Sequence, residues 1–187
     1  MKSLVLIRND LRLDDNPSFK EAFINSKFVH ALYLFSENQL KIHNESNIKI
    51  SFIIESLLDL EKSSANLNVG LTVLKTNGYN DDPDQIISFF KDNNFDKLYF
   101  NNTFGVDENK RDAKIVKLFQ KKNFSYQSFH DQVIFKPGSI QTNEGRPYSV
   151  FTPFKRKWLE SFNLDILDIE YKYRAKEKKF LNSNIEE

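Results

Sequence analysis

The chain predicts a doubly wound α/β fold, a parallel sheet with helices on both faces, and three observations carry that prediction. Short apolar runs alternate with longer segments of helical periodicity. Most of the runs are apolar at consecutive positions, as strands covered on both faces must be. The helical segments open on residues suited to a helix start, Asn16-Pro17 being the clearest.

The expected strands are Leu4–Ile7, Phe28–Phe35, Leu71–Lys75, Lys97–Asn101 and Phe124–Phe129. The first helix begins at Pro17, where the missing proline N–H costs nothing and Asn16 is a good cap. A second, over 47–65, carries Ile50, Ile53, Ile54, Leu57, Leu58 and Leu60 as an apolar stripe of 3.6-residue period. A third starts at Pro83 and turns Ile86, Ile87, Phe89 and Phe90 toward the sheet. A fourth, Asp107–Lys121, opens on Asp107 and Glu108 and closes on Lys117, Lys121 and Lys122, a polarity that suits the helix dipole. The last runs from Pro153 to about Phe162.

Residues 1–163 read as one domain. Beyond Asn163 the text turns charged, with Tyr171-Lys172-Tyr173-Arg174-Ala175-Lys176-Glu177-Lys178-Lys179, and 164–187 read as a linker or docking tail. With 40% hydrophobic and 28% charged residues the chain is able to bury a core. The net charge of +1 argues against binding nucleic acid by bulk electrostatics. There is no Cys, which excludes disulfides and thiolate chemistry. The leading apolar run, Leu4-Val5-Leu6-Ile7, is too short for a signal peptide or a membrane span of ~20 residues, so a cytoplasmic protein with no membrane partner is expected.

The five glycines, Gly70, Gly78, Gly105, Gly138 and Gly145, build neither a Gly-x-Gly-x-x-Gly turn nor a Walker loop. His30, His43 and His130 are far apart in sequence, so no metal is expected, and His30, mid-strand, reads as a packed core histidine. His43 and the pair Asp107-Glu108 fall on the rim at the carboxyl ends of the strands, where parallel sheets bind ligands. A carboxylate there can accept two N–H bonds from one planar heterocycle, and an imidazole can stack on the same ring. By spacing alone the plainer reading is favoured: Asp107 as helix cap, Glu108 as dipole partner, His43 as a loop residue.

Two segments resemble the DNA photolyase/cryptochrome family. One is Arg8-Asn9-Asp10-Leu11-Arg12-Leu13-Asp14-Asp15-Asn16-Pro17; the other is Tyr148-Ser149-Val150-Phe151-Thr152-Pro153-Phe154-Lys155-Arg156-Lys157-Trp158. Phe129-His130-Asp131-Gln132-Val133 and Pro137-Gly138-Ser139-Ile140 resemble the family's intervening stretch, so the likeness reaches about residue 170. It departs at Leu6-Ile7-Arg8-Asn9, where the family has Trp-Phe-Arg-Arg, and at Asp14, where it has His.

The resemblance implies a five-stranded sheet of order 3-2-1-4-5 and the N-terminal, antenna half of a photolyase. It implies that His43, Asp107 and Glu108 hold a chromophore: His43-Asn44 and Asp107-Glu108 stand where folate-type members carry His-Asn and Asn-Glu pairs around methenyltetrahydrofolate. A deazaflavin antenna, or none, stays open. FAD and the lesion pocket belong to a helical C-terminal domain that these residues lack, so the chain alone is expected to be inactive. Its implied partners are that FAD-binding domain and, through the complete protein, damaged DNA.

Arg8, Asp10 and Arg12 could form a site for an anionic ligand; the favoured reading is an ion-pair network that fixes the turn at the sheet's edge. Phe151, Phe154 and Trp158 share one face of the last helix and are expected to be buried against the sheet or against the next domain. Three rival readings stand beside the antenna half: a cryptochrome-type signalling module, a plain nucleotide-binding α/β module, and a non-catalytic interaction domain.

Overall fold

The computed structural model describes residues 1–164 and 171–185. Its elements are β1 (Lys2–Ile7), α1 (Pro17–Asn25), β2 (Phe28–Phe35), α2 (Glu37–Ile42), α3 (Asn47–Ala65), β3 (Gly70–Lys75), α4 (Asp82–Asp92), β4 (Lys97–Asn101), α5 (Val106–Lys121), β5 (Ser125–Phe129) and α6 (Phe151–Ser161). The five strands pair in parallel in the order β3-β2-β1-β4-β5. The predicted fold class and strand order are therefore those observed.

Strand periodicity explains the layers. Along β1, Val5 and Ile7 point to one face, where Phe19, Ala22, Leu57 and Leu60 of α1 and α3 cover them. Leu4 and Leu6 point to the other, under Ile86, Phe90, Ile115 and Phe119 of α4 and α5. Every one of these is at least 96% buried, so β1 has no polar face.

Local chemistry sets the boundaries. Asn16 Oδ1 accepts the Phe19 N–H at 3.3 Å and caps α1. Helices α2 to α5 end alike, each followed by an asparagine of positive φ: Asn44 (50°), Asn68 (59°), Asn94 (54°) and Asn123 (54°). In each case the next residue returns its N–H to a carbonyl five positions back, as in Phe124 N to Phe119 O at 2.9 Å. These are Schellman-type ends, in which asparagine takes the place more often held by glycine.

Three expectations need correction. Helix α2 lies where a loop was expected, between β2 and α3. The α3 stripe is narrower than its apolar sequence: Leu57 and Leu60 are buried, whereas Ile54 and Leu58 remain 45% and 41% exposed, because the sheet covers only one side of the helix. Helix α6 buries none of its residues and does not lay its aromatic face on the sheet; Phe151 is 71% exposed. Trp158 instead packs between Phe135 and Phe162, each 5.3 Å away by ring centroid.

Of the charged tail, residues 165–170 and 186–187 lie outside the described residues. The remainder is docked on the domain. Asn184 pairs with the outer edge of β3, donating its N–H to Leu71 O and accepting that of Val73, both at 2.9 Å. Lys176 Nζ donates to Phe23 O and Ser26 O, both at 2.7 Å, where α1 has run out of its own N–H partners. Phe180 and Leu181 pack on the α4–α5 core. Gly70 permits this approach: a Cβ there would lie 2.3 Å from Leu181 O and 2.9 Å from the His30 ring.

Candidate functional site

At the carboxyl ends of the strands, the turn after β1 is held by a buried polar network. Arg8 donates through Nη1 to Asp112 Oδ1 at 2.5 Å and through Nη2 to the Asn101 carbonyl. Its backbone N–H donates to Asp10 Oδ1 at 2.7 Å, and Asn101 Nδ2 donates to Asp10 Oδ2 at 2.7 Å. Arg12 pairs with Asp131 at 2.6 Å. The network thus joins β1, β4 and α5, with Arg8 ion-paired to Asp112. Burial pulls the Arg8 guanidinium below its ordinary pKa, and the neighbouring Asp112 carboxylate opposes that shift.

Beside this network, a hollow of about 170 Å³ opens between the ends of β1 and β2, helices α2 and α3, and the starts of α4 and α5. Its size matters, because sites that enclose a drug-sized ligand measure ~300–1,000 Å³. At about 170 Å³ it is too small to enclose a ligand of that size whole.

His43 and Glu108 both line the hollow. His43 caps α2 at its C-terminus and is exposed; its Nε2 meets Gln39 Nε2, one turn earlier on the same helix. Asn44 holds the left-handed position that ends α2. Glu108 sits half-buried in the first turn of α5. Asp107 does not join them: it points outward, is paired with Lys110 at 3.2 Å, and leaves the cap position to Gly105. Neighbouring residues of a helix point about 100° apart, so Asp107 and Glu108 cannot share a face.

Sequence reading missed three side chains of this site. Tyr79, from the loop between β3 and α4, donates its hydroxyl to Glu108 Oε1 at 3.0 Å and lies 6.3 Å from the His43 ring by centroid. Burial and the bond to Glu108 push the Tyr79 pKa up to about 12. Arg111 lies one turn beyond Glu108 and is 7% exposed, with its guanidinium carbon 4.9 Å from the Tyr79 ring centroid. Its Nε meets Asp112 at 3.2 Å and its Nη1 meets Asp82 at 3.7 Å. Asp82 accepts the Thr76 hydroxyl at 2.7 Å, and burial raises its pKa. The spacing of Glu108 and Arg111 on α5 was available in sequence; the Tyr79 loop offered no signal.

His30 is fully buried, its Nε2 2.8 Å from Thr72 Oγ1, as a core histidine should be. Among the described residues no group of three or more potential ligands could hold a metal, and no helix is long and apolar enough to cross a membrane.

Comparison with known proteins agrees with this architecture. The deoxyribodipyrimidine photo-lyase of Buchnera aphidicola subsp. Acyrthosiphon pisum is 30% identical over 166 residues, 88% of this chain and 34% of that protein. The Escherichia coli photo-lyase is 31% identical over 158 residues, 84% of this chain and 33% of that protein. The chain therefore spans about a third of the length of these curated relatives. In fold it is similar to an archaeal photolyase from Sulfolobus tokodaii solved with two FAD molecules and described as implying a novel light-harvesting cofactor. That likeness has a TM-score of 0.68 at 22% identity, over 98% of this chain and 38% of the other. The DNA photolyase family model matches residues 3–173, and with the parallel sheet and its rim hollow in place, this chain belongs to the DNA photolyase family.

Proposed function

We propose that this polypeptide is the antenna-chromophore domain of a deoxyribodipyrimidine photolyase, acting in light-driven repair of cyclobutane pyrimidine dimers together with an FAD-binding domain. The observation that carries the reading is the convergence of His43 and Glu108 on one rim hollow. The residues suit a folate-type ring. Glu108 keeps acceptor capacity beyond its single bond from Tyr79, and His43 presents an exposed imidazole at the mouth. Asp107, turned toward Lys110, contributes negative charge near the helix start and no contact in the hollow.

Bound there, methenyltetrahydrofolate or another antenna would supply near-ultraviolet and blue absorption that protein aromatics lack. The hollow is too small to enclose such a molecule whole, so the rest lies outside it, where an FAD-binding domain could complete the walls. The docking surface for that domain is α6 and its surroundings. Phe151, Val150 and Leu159 are 71%, 59% and 55% exposed in one neighbourhood of the chain, an apolar surface that suits burial in an interface. The signalling alternative shares this fold, but the curated relatives described above are photolyases, and family membership disfavours a plain nucleotide-binding module.

The test is gel filtration of the chain with methenyltetrahydrofolate, read by near-ultraviolet absorbance of the protein peak. Wild-type protein should carry the chromophore and Glu108→Ala should lose it, with His43→Ala weakened less. An unloaded wild type, or undiminished loading of Glu108→Ala, overturns the assignment.

A further inference from the structure

Asn77-Gly78, in the loop between β3 and α4, is the only place in the sequence where glycine follows asparagine. That pair carries a reaction of its own. The asparagine side-chain carbonyl carbon can reach the next backbone nitrogen, and glycine puts no side chain in the way. Native structure suppresses the reaction where hydrogen bonds tie down either partner.

Here neither is tied down. Asn77 is exposed at a bend. Its backbone N–H donates to Asp81 Oδ2 at 3.3 Å, but its side-chain amide has no hydrogen-bond partner among the described residues. The Gly78 carbonyl accepts from the Asp81 and Asp82 N–H groups at 2.9 and 3.1 Å, while the Gly78 N–H meets no acceptor among the described residues. The fold also requires this glycine. Gly78 has φ +118°, and a Cβ there would lie 3.3 Å from Gln39 Oε1, so the loop keeps the reactive pair as a condition of its shape.

We propose that Asn77 is a site of spontaneous deamidation in the folded protein, and that its conversion to isoaspartate releases Tyr79 from Glu108. The Gly78 nitrogen loses its proton to hydroxide and bonds to Asn77 Cγ. The Cγ–Nδ2 bond breaks, and the amide nitrogen leaves as ammonia with a proton from water. Water then opens the five-membered imide at either carbonyl, giving aspartate or isoaspartate with no change of oxidation state. Isoaspartate adds a methylene to the main chain and a negative charge beside Asp81. Tyr79 is two residues on, and its 3.0 Å bond to Glu108 depends on where this loop places the ring. No chromophore is needed for either step.

The experiment ages the purified full chain in warm, mildly alkaline buffer and follows it by tryptic digestion and mass spectrometry. Cleavage after Lys75 and Lys91 leaves Asn77 and Tyr79 on one peptide. Folded wild type should acquire the amide-to-acid mass difference at position 77 before any other asparagine changes, with isoaspartate identified by enzymatic methylation. Asn77→Ser should show no such change there. Brief treatment with tetranitromethane before digestion reads Tyr79. Nitration proceeds through the phenolate, which burial and the bond to Glu108 disfavour by holding the pKa at about 12. Isoaspartate copies should be nitrated at Tyr79 about fivefold faster than unconverted copies in the same sample, as the loss of one hydrogen bond predicts. Folded wild type that keeps Asn77 intact while the urea-unfolded chain converts overturns the site. Equal nitration of converted and unconverted copies overturns the release of Tyr79.

Discussion

The Tyr79 hydroxyl donates to Glu108 Oε1 at 3.0 Å, joining the loop between β3 and α4 to the first turn of α5. The other carboxylate oxygen, Oε2, lies over Gly105, so close that a Cβ on that residue would meet it at 1.9 Å. Glu108 is therefore held on two sides, by a donor on one and by a missing side chain on the other. A carboxylate held this way is oriented before a ligand arrives, and preorganisation of this kind raises affinity by reducing the ordering cost of binding.

Gly105→Ala tests that arrangement. Gly105 has φ −64°, which alanine adopts without strain, so the fold should persist. The new methyl group displaces the carboxylate, and chromophore affinity should fall about tenfold, equivalent to ~1.4 kcal/mol. The measurement is chromophore titration beside a thermal melt. Retained affinity would show that the position of Glu108 is not what binds.

His30 predicts a dependence of stability on pH. Burial disfavours its charged form and lowers its pKa from 6.5 to about 4, with a smaller push from Lys179. The unfolded chain takes up this proton first. Stability is thus fully present above about pH 6.5 and declines as pH falls toward 4, by about 3 kcal/mol in all. Urea unfolding across that range should show the slope. His30→Gln should flatten it, since carboxylate contributions are common to both proteins and cancel in the difference.

Asn123 predicts the value of a left-handed helix end. It is exposed, so its substitution loses little packing, and its φ of 54° disfavours any residue with a Cβ. Asn123→Ala should cost about 1 kcal/mol, whereas Asn123→Gly should be neutral or stabilising. Urea midpoints at constant m-value decide the matter; an alanine variant as stable as wild type would show that this turn carries no strain.

Most of the scaffold was legible along the chain because its determinants are local. Consecutive apolar residues marked β1 and β2, and Asn16-Pro17 marked the start of α1 to the residue. Helix α2 was not legible: its six residues are too few to show a period, and none of them is buried. The tail was legible as a linker or docking segment, but its contacts were not: Lys176 uses its ammonium on the carbonyls that end α1, and Phe180 and Leu181, between charged neighbours, pack against the core.

The site divides along the same line. The rim location of His43 and Glu108 follows from strand and helix order, since parallel strands bring all their carboxyl ends to one edge. Which side chains meet there depends on rotation about helix axes and on long-range packing. Asp107 and Glu108 are neighbours in sequence, yet one faces solvent and the other the hollow. Tyr79 reaches Glu108 across 29 positions, and Arg8 reaches Asp112 across 104. Adjacent letters carry periodicity and capping; contacts between distant segments exist only once the hydrophobic layers have closed and set the helices in place.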